Sequence, residues 1–207
     1  MIEFQTVNNV RTVHVTIKES NFSIHHKYYF GEPFMFVNIM KNASTSIYKL
    51  LDEINGNSNH DYNLDKFWFT IVRDPMDRFY SSFKHLIMNN KEQITVEHLG
   101  NCLREYPKDT SEYFMGQFVH FTPQRLITNW FESRVDLKFY SIKNLEPLKE
   151  EIQNRISTKI EIPHVNIGDR SSAKLVGIEK WINENKDFVA EFLKDDYEWY
   201  RSLKIES

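Results

Sequence analysis

FMFVNIMKNASTSIYKLL, residues 34–51, is the stretch whose division decides the fold. Its apolar half, residues 34–39, suits a short buried strand, and a helix-compatible run covers residues 47–54. Between them Lys41-Asn42-Ala43-Ser44-Thr45-Ser46 is small, polar or cationic. A strand that turns through small residues into a helix gathers unpaired N–H groups and the positive end of the helix dipole at one spot. One lysine and three hydroxyls stand at that spot, which makes it a candidate anion site. The same residues also suit a plain βα turn whose Ser and Thr cap the helix.

Working outward, the strand–helix pattern repeats. FWFTIV, residues 67–72, is apolar on both faces and reads as a second buried strand. Asp74 and Pro75 open a helix expected over residues 76–88, with Asp74 as its cap. LKFYSI, residues 137–142, reads as a third buried strand. Helices are expected over residues 95–106, 124–133, 144–156, 176–185 and 186–203. Before the opening stretch, VRTVHVTI at residues 10–17 alternates apolar and polar and reads as a half-exposed strand. Strands alternating with helices predict an α/β fold with a largely parallel central sheet. The chain reads as one domain, with residues 1–33 as an N-terminal strand extension and residues 34–203 as the core.

Composition bounds the function. Six glycines among 207 residues leave little material for a Gly-rich cofactor loop. A net charge of −3 argues against broad nucleic-acid binding, so an anionic ligand has to meet a local positive cluster. Cys102 is the single cysteine, which excludes an intramolecular disulfide and paired-thiolate zinc sites. His25 and His26 are adjacent, but no third ligand follows at useful spacing, and no metal site is expected. No apolar run approaches the ~20 residues of a membrane span, and the N-terminus lacks a signal-peptide pattern. A soluble, cytoplasmic protein is the expectation.

The second chemistry-bearing stretch is Val72-Arg73-Asp74-Pro75-Met76-Asp77-Arg78-Phe79-Tyr80-Ser81-Ser82-Phe83. Arg73 falls at the C-terminal end of a strand, where open α/β sheets place their ligands. Ser81 lies eight residues on, about two turns into the helix. A guanidinium fork and a hydroxyl so placed could grip a second phosphate. The alternative is a surface pair between Arg73 and Asp77, with Ser81 packed by chance. Two such motifs, each at a strand end, weigh against that alternative.

Together the two stretches resemble the sulfotransferases, especially the carbohydrate-type family of the chondroitin, HNK-1 and heparan-sulfate 2-O enzymes. Lys41 to Ser46 is similar to that family's 5′-phosphosulfate loop, PKxxxTS, and Val72 to Phe83 to its 3′-phosphate motif, VRDPxxRxxSxY. Three further echoes keep the family's order: His120-Phe121-Thr122-Pro123-Gln124, Tyr140-Ser141-Ile142-Lys143-Asn144-Leu145-Glu146, and Pro163-His164-Val165-Asn166. Met40 stands where the family has proline, and Asn42 where it has a small residue. The animal Golgi members' anchor and cysteines have no counterpart, which points to a bacterial or viral member.

The resemblance implies a three-layer, P-loop-like α/β fold with a central mainly parallel sheet flanked by helices. It implies transfer of a sulfuryl group from 3′-phosphoadenosine 5′-phosphosulfate (PAPS) to an acceptor hydroxyl, plausibly on a carbohydrate, releasing adenosine 3′,5′-bisphosphate without a metal. Lys41 would neutralise the leaving oxygen, and Asn42, Ala43, Ser44, Thr45 and Ser46 would hold the 5′-phosphate. Arg73 and Ser81 would hold the 3′-phosphate, with Arg170, Ser171, Ser172 and Lys174 closing over the nucleotide. The acceptor's hydroxyl needs a general base; His60 and His120 are the candidates, with Glu53 a third. Two rival readings are a Mg²⁺-dependent nucleotide kinase, with Asp74 as the strand-end carboxylate, and a non-catalytic nucleotide- or glycan-binding module.

Overall fold

The computed structural model describes residues 2–7, 10–19, 22–31, 34–55, 67–89, 94–105, 119–156, 159–163 and 173–206, the first three stretches in backbone and pairing alone. β1 (Ile2–Val7), β2 (Val10–Glu19) and β3 (Phe22–Gly31) form an antiparallel meander, and β3 pairs antiparallel with β4 (Phe34–Phe36). From β4 the sheet continues in parallel through β5 (Phe67–Val72), β6 (Leu137–Ser141) and β7 (Ile205–Glu206). The seven strands lie in sequence order. The described helices are α1 (Ser44–Asn55), α2 (Pro75–Asn89), α3 (Val96–Glu105), α4 (Gln124–Glu132), α5 (Glu146–Ile156), α6 (Ala173–Glu184) and α7 (Lys186–Ser202), with a 3₁₀ turn at Val119–Phe121.

The fold is α/β, as the strand–helix alternation predicts. Its four parallel strands, β4 to β7, carry the expected central sheet, in keeping with a P-loop-like arrangement. Two differences stand out. The N-terminal region supplies three strands where the alternation pattern shows one, because β1 and β3 take their strand state from pairing on β2, with registers such as Ile2↔Val15 and Ile17↔Ile24. The first buried strand is also shorter than the apolar run: residues 37–39 lie beyond β4, although Val37 N–H still donates to Phe69 O at 2.9 Å.

Side-chain alternation along the parallel strands builds a core on each face of the sheet. Phe34, Phe36, Phe67, Phe69, Ile71 and Tyr140 pack with Ile47, Leu50 and Leu51 of α1 and with Leu148 and Ile152 of α5. Met35, Trp68, Val72, Leu137 and Phe139 face the other way, onto Ile127 and Phe131 of α4 and Trp199 of α7. Sheet between helices is thus the layering, and each fully buried Phe or Leu adds about 1.5–3 kcal/mol by leaving water.

A third cluster is helical. Phe79, Phe83 and Leu86 of α2, at helical spacing, meet Leu99 and Leu103 of α3, Phe121, Ile178 and Trp181 of α6, and Val189 and Leu193 of α7. Gly100 permits this packing, since a Cβ there would lie 2.3 Å from the Trp181 ring. Among the described residues no helix is long and apolar enough to cross a membrane.

Candidate active site

The loop between β4 and α1 departs from ordinary backbone at two residues, Lys41 (φ 70°) and Ala43 (φ 60°). Neither is glycine, and the left-handed conformation costs an L-residue about 1–2 kcal/mol. Such residues persist only where the surroundings over-determine them, and here the surroundings do. Asn42, between the two, is 0% exposed and donates through Nδ2 to Ile71 O at 2.9 Å and to Gln124 Oε1 at 2.7 Å. Its own N–H donates to Ile39 O at 3.2 Å. Ser44 Oγ bonds to Ile39 O at 3.1 Å and to Asn38 Oδ1. Left-handed residues alternating with ordinary ones turn successive N–H groups inward, which is how a backbone nest for an anion forms. Two left-handed residues, neither of them glycine, thus flank Asn42, whose own N–H is committed to Ile39 O.

The second turn is regular. Asp74 Oδ1 accepts from Met76 N–H at 2.9 Å and Asp77 N–H at 3.1 Å, so it is the expected cap of α2, with Pro75 in the first helical position. Arg73, half-buried just before the cap, reaches across to the first turn: its Nη1 donates to Lys41 O at 3.2 Å. One helical turn later, Arg78 Nε donates to Met40 O at 3.1 Å. Both arginines of the second motif thus hold carbonyls of the first loop.

Electrostatics follow from this convergence. Burial lowers the Lys41 ammonium pKa, and the nearby Arg73 cation lowers it further. Arg73 is itself lowered by burial, against the pull of Asp77 and Asp74. Two cations brought together and partly stripped of water favour an anion between them. His120, in the 3₁₀ turn, lies beside His85 of α2, with ring centroids 4.6 Å apart. Its Nδ1 is buried without a hydrogen-bond partner among the described residues. Burial, then His85, Lys41 and Arg78, hold its pKa down to about 4, so the ring is neutral at pH 7. His85 is lowered by burial and by Lys41. Ser82 Oγ hydrogen-bonds His120 O at 2.8 Å and anchors that turn to α2.

The structure therefore joins Lys41, Asn42, Ala43 and Ser44 with Arg73 in one hydrogen-bonded unit, and sets His120 within electrostatic reach of Lys41. Thr45 is exposed and Ser46 buried in the first turn of α1. Ser81 is half-buried on α2, four residues before His85 and hence on its helix face. Glu53 is exposed on α1. Asn42 spends its donors inside the protein, so its side chain supports the loop from beneath. His60, His164, Arg170, Ser171 and Ser172 lie outside the described residues, and Lys174 falls on the first turn of α6.

Four residues of this region carried no role in the sequence reading. Arg78 sits inside the quoted 3′-phosphate motif and Gln124 inside HFTPQ, so both were in view without a partner to reveal them. His85 could have been found from its i+4 spacing to Ser81. Asp196, only 2% exposed on α7, lies in the acidic-aromatic segment Asp195 to Tyr200, which also fits the family resemblance, but its partners Gln124 and Arg125 are distant in sequence.

A family model described as "Sulfotransferase family" matches residues 25–172, more than half of the chain. No curated protein and no solved structure gives a match. The matched span holds both strand-end turns, Arg73 and Lys41 in contact, and the histidine turn beside them, and on that match the chain belongs to the sulfotransferase family, whose chemistry is sulfuryl transfer to an acceptor.

Proposed function

We propose that the chain is a single-domain, cytoplasmic PAPS-dependent sulfotransferase whose acceptor is a hydroxyl, with a carbohydrate as the acceptor class. The observation that carries this reading is the meeting of the two turns, Arg73 Nη1 on Lys41 O at 3.2 Å, which puts two cations at adjacent strand ends. The residues suit a ligand with two separate phosphates: a nest-like turn with Lys41 for one, Arg73 and Ser81 for the other. When bound, PAPS supplies an activated sulfuryl group on its 5′-phosphate and leaves as adenosine 3′,5′-bisphosphate.

The chain's own residues then divide the work. The turn after β4, which leads into Ser44, Thr45 and Ser46 at the N-terminus of α1, offers backbone N–H groups where negative charge is stabilised, and Thr45 adds an exposed hydroxyl. Lys41 stands where charge gathers on the leaving oxygen, as in phosphoryl transfer. Arg73 and Ser81 orient the nucleotide through its 3′-phosphate, the group that separates this donor from ATP. His120 accepts the acceptor's proton as the new O–S bond forms. It suits that task because it is neutral, is held by Ser82, and keeps Nδ1 uncommitted among the described residues. Arrival of an anion beside Lys41 offsets the cations that depress His120 and makes the ring a stronger base.

Asp74, the strand-end carboxylate that a Mg²⁺-dependent kinase would draw on, is engaged as the cap of α2. The carbohydrate class rests on the motif resemblance. The deciding experiment combines binding and turnover. Titration should give tight binding of adenosine 3′,5′-bisphosphate without Mg²⁺ and weak binding of ATP with it; the reverse order would sink the reading. Labelled sulfate should pass from PAPS to a glycan panel with the native chain and, at PAPS well below saturation, fall to background with Lys41→Ala and Arg73→Ala. Transfer at the native rate in both variants under that condition places the site elsewhere.

A further inference from the structure

Gln124 opens α4 and is 0% exposed, yet every hydrogen-bonding position of its amide is in use. Oε1 accepts from Asn42 Nδ2 at 2.7 Å and from Arg73 N–H at 3.1 Å. Nε2 donates to Arg73 O at 2.8 Å and to Asp196 Oδ2 at 3.4 Å. An amide has two acceptor sites and two donor hydrogens, so the group is saturated. Its partners belong to the loop after β4, the end of β5 and α7. Asp196 adds a bond from Arg125 N–H at 3.3 Å, which fixes the start of α4 and hence the place of Gln124. One planar group, buried beneath both turns, spans them and is braced from behind.

We propose that Gln124 is a specificity-determining positioning residue: it sets the spacing between the turn that carries Lys41 and the turn that carries Arg73, and thereby makes the protein select nucleotides with two phosphates over those with one. The inference rests on the two-phosphate reading above. Gln124 is inside the protein and acts through Asn42 and Arg73. A ligand that engages both turns gains the second contact at high effective concentration, but only where the spacing fits. A monophosphate uses one turn and is indifferent to the distance to the other. Loosening the bridge should therefore reduce the advantage of two phosphates and leave single-phosphate binding alone, a signature that general loss of stability does not produce.

The test titrates adenosine 3′,5′-bisphosphate, adenosine 5′-monophosphate and adenosine 3′-monophosphate into the native chain, Gln124→Met and Gln124→Glu. Gln124→Met keeps the length and removes all four bonds; Gln124→Glu keeps the acceptor oxygen and removes both donations. Thermal unfolding confirms that each variant is folded, and Gln124→Glu carries the test if Gln124→Met does not fold. Expected is an affinity for the bisphosphate about 10- to 100-fold weaker, with both monophosphates within about 2-fold of the native chain. An unchanged bisphosphate affinity in a folded variant, or an equal fall for all three ligands, overturns the proposal. A native chain that shows no preference for the bisphosphate fails at an earlier step: it overturns the two-phosphate clamp, and this inference with it.

Discussion

The two strand-end turns, to which the proposed function gives parallel tasks, differ in construction. The turn after β5 is shaped locally, since Asp74 caps the helix it opens through bonds that span two or three residues and Pro75 supplies the first helical φ. Gln124, 51 residues on, then braces Arg73. The turn after β4 bends through left-handed Lys41 and Ala43 and is held by Asn42, Arg73, Arg78 and Gln124, whose bonds span between 29 and 82 residues. A locally capped turn takes its shape from its own sequence, even where a remote residue also braces it. A remotely held one forms only when β5, α2 and α4 are already in place, and its shape reports on theirs. The lesson is that the strained turn is the dependent one, with its conformation imposed by the neighbour that also completes the site.

This contrast can be broken or sharpened in several ways. The largest effect is chemical. Lys41→Ala should lower kcat on the order of 10²- to 10³-fold, the usual loss when one group facing developing negative charge is removed. Arg73→Ala should chiefly raise the donor KM, by about 10- to 100-fold, as for loss of a charged hydrogen-bond pair. Sulfate-transfer kinetics with donor and acceptor varied in turn separate the two, and matching kcat losses in both variants would erase the division of labour between the turns.

Stability comes next. Asn42→Ala leaves Ile71 O and one acceptor position of Gln124 short of a partner in a buried place, and should cost about 1–3 kcal/mol. Asp74→Ala removes a helix cap and should cost about 0.5–2 kcal/mol. Urea unfolding of both tests the ranking, and a costlier Asp74→Ala would mean that the local turn carries more of the fold than the remote one.

A pH prediction concerns the cations gathered around the first turn. His120 titrates near 4 in the folded chain, below the ~6.5 of an exposed histidine. The unfolded chain then binds more protons between those values. The stabilising share of His120 is thus complete above about pH 6.5 and is lost as pH falls through about 4. His85, also lowered, acts in the same direction. Relative to His120→Gln, the native chain should lose more stability between pH 7 and pH 4.5 in urea midpoints; parallel loss in both would show that His120 is not held neutral.

The smallest effect tests the strain itself. Ala43→Gly relieves a left-handed alanine while loosening the unfolded chain, and a net gain of roughly 0.5 kcal/mol is expected. A measurable loss would show that the surrounding bonds, rather than the φ angle, dominate the turn.

Much of this architecture was legible from the sequence because it is local. The continuous apolar runs at residues 67–72 and 137–142, the Asp-Pro helix start and the 3.6-residue spacing of Phe79, Phe83 and Leu86 each specify an element within one or two turns of chain. The α/β class and the helices fell where those signals placed them, within a few residues at their ends. Glycine scarcity argues against a Gly-rich loop and is silent on backbone angles, so the left-handed Lys41 and Ala43 are visible only in the structure. Strands β1 and β3 were hidden for a related reason: their state comes from pairing with β2.

What the chain by itself determined, then, is the pair of turns and their placement at strand ends, because capping, periodicity and residue type act over short distances. Only the tertiary structure decided what the turns are to one another. The arginine on the lysine's carbonyl, the two histidines side by side, and the saturated amide of Gln124 all join residues far apart in sequence. No local pattern encodes such contacts. They exist because parallel strands bring their C-terminal ends to one edge of the sheet, where buried polar groups must find partners wherever the fold has put them.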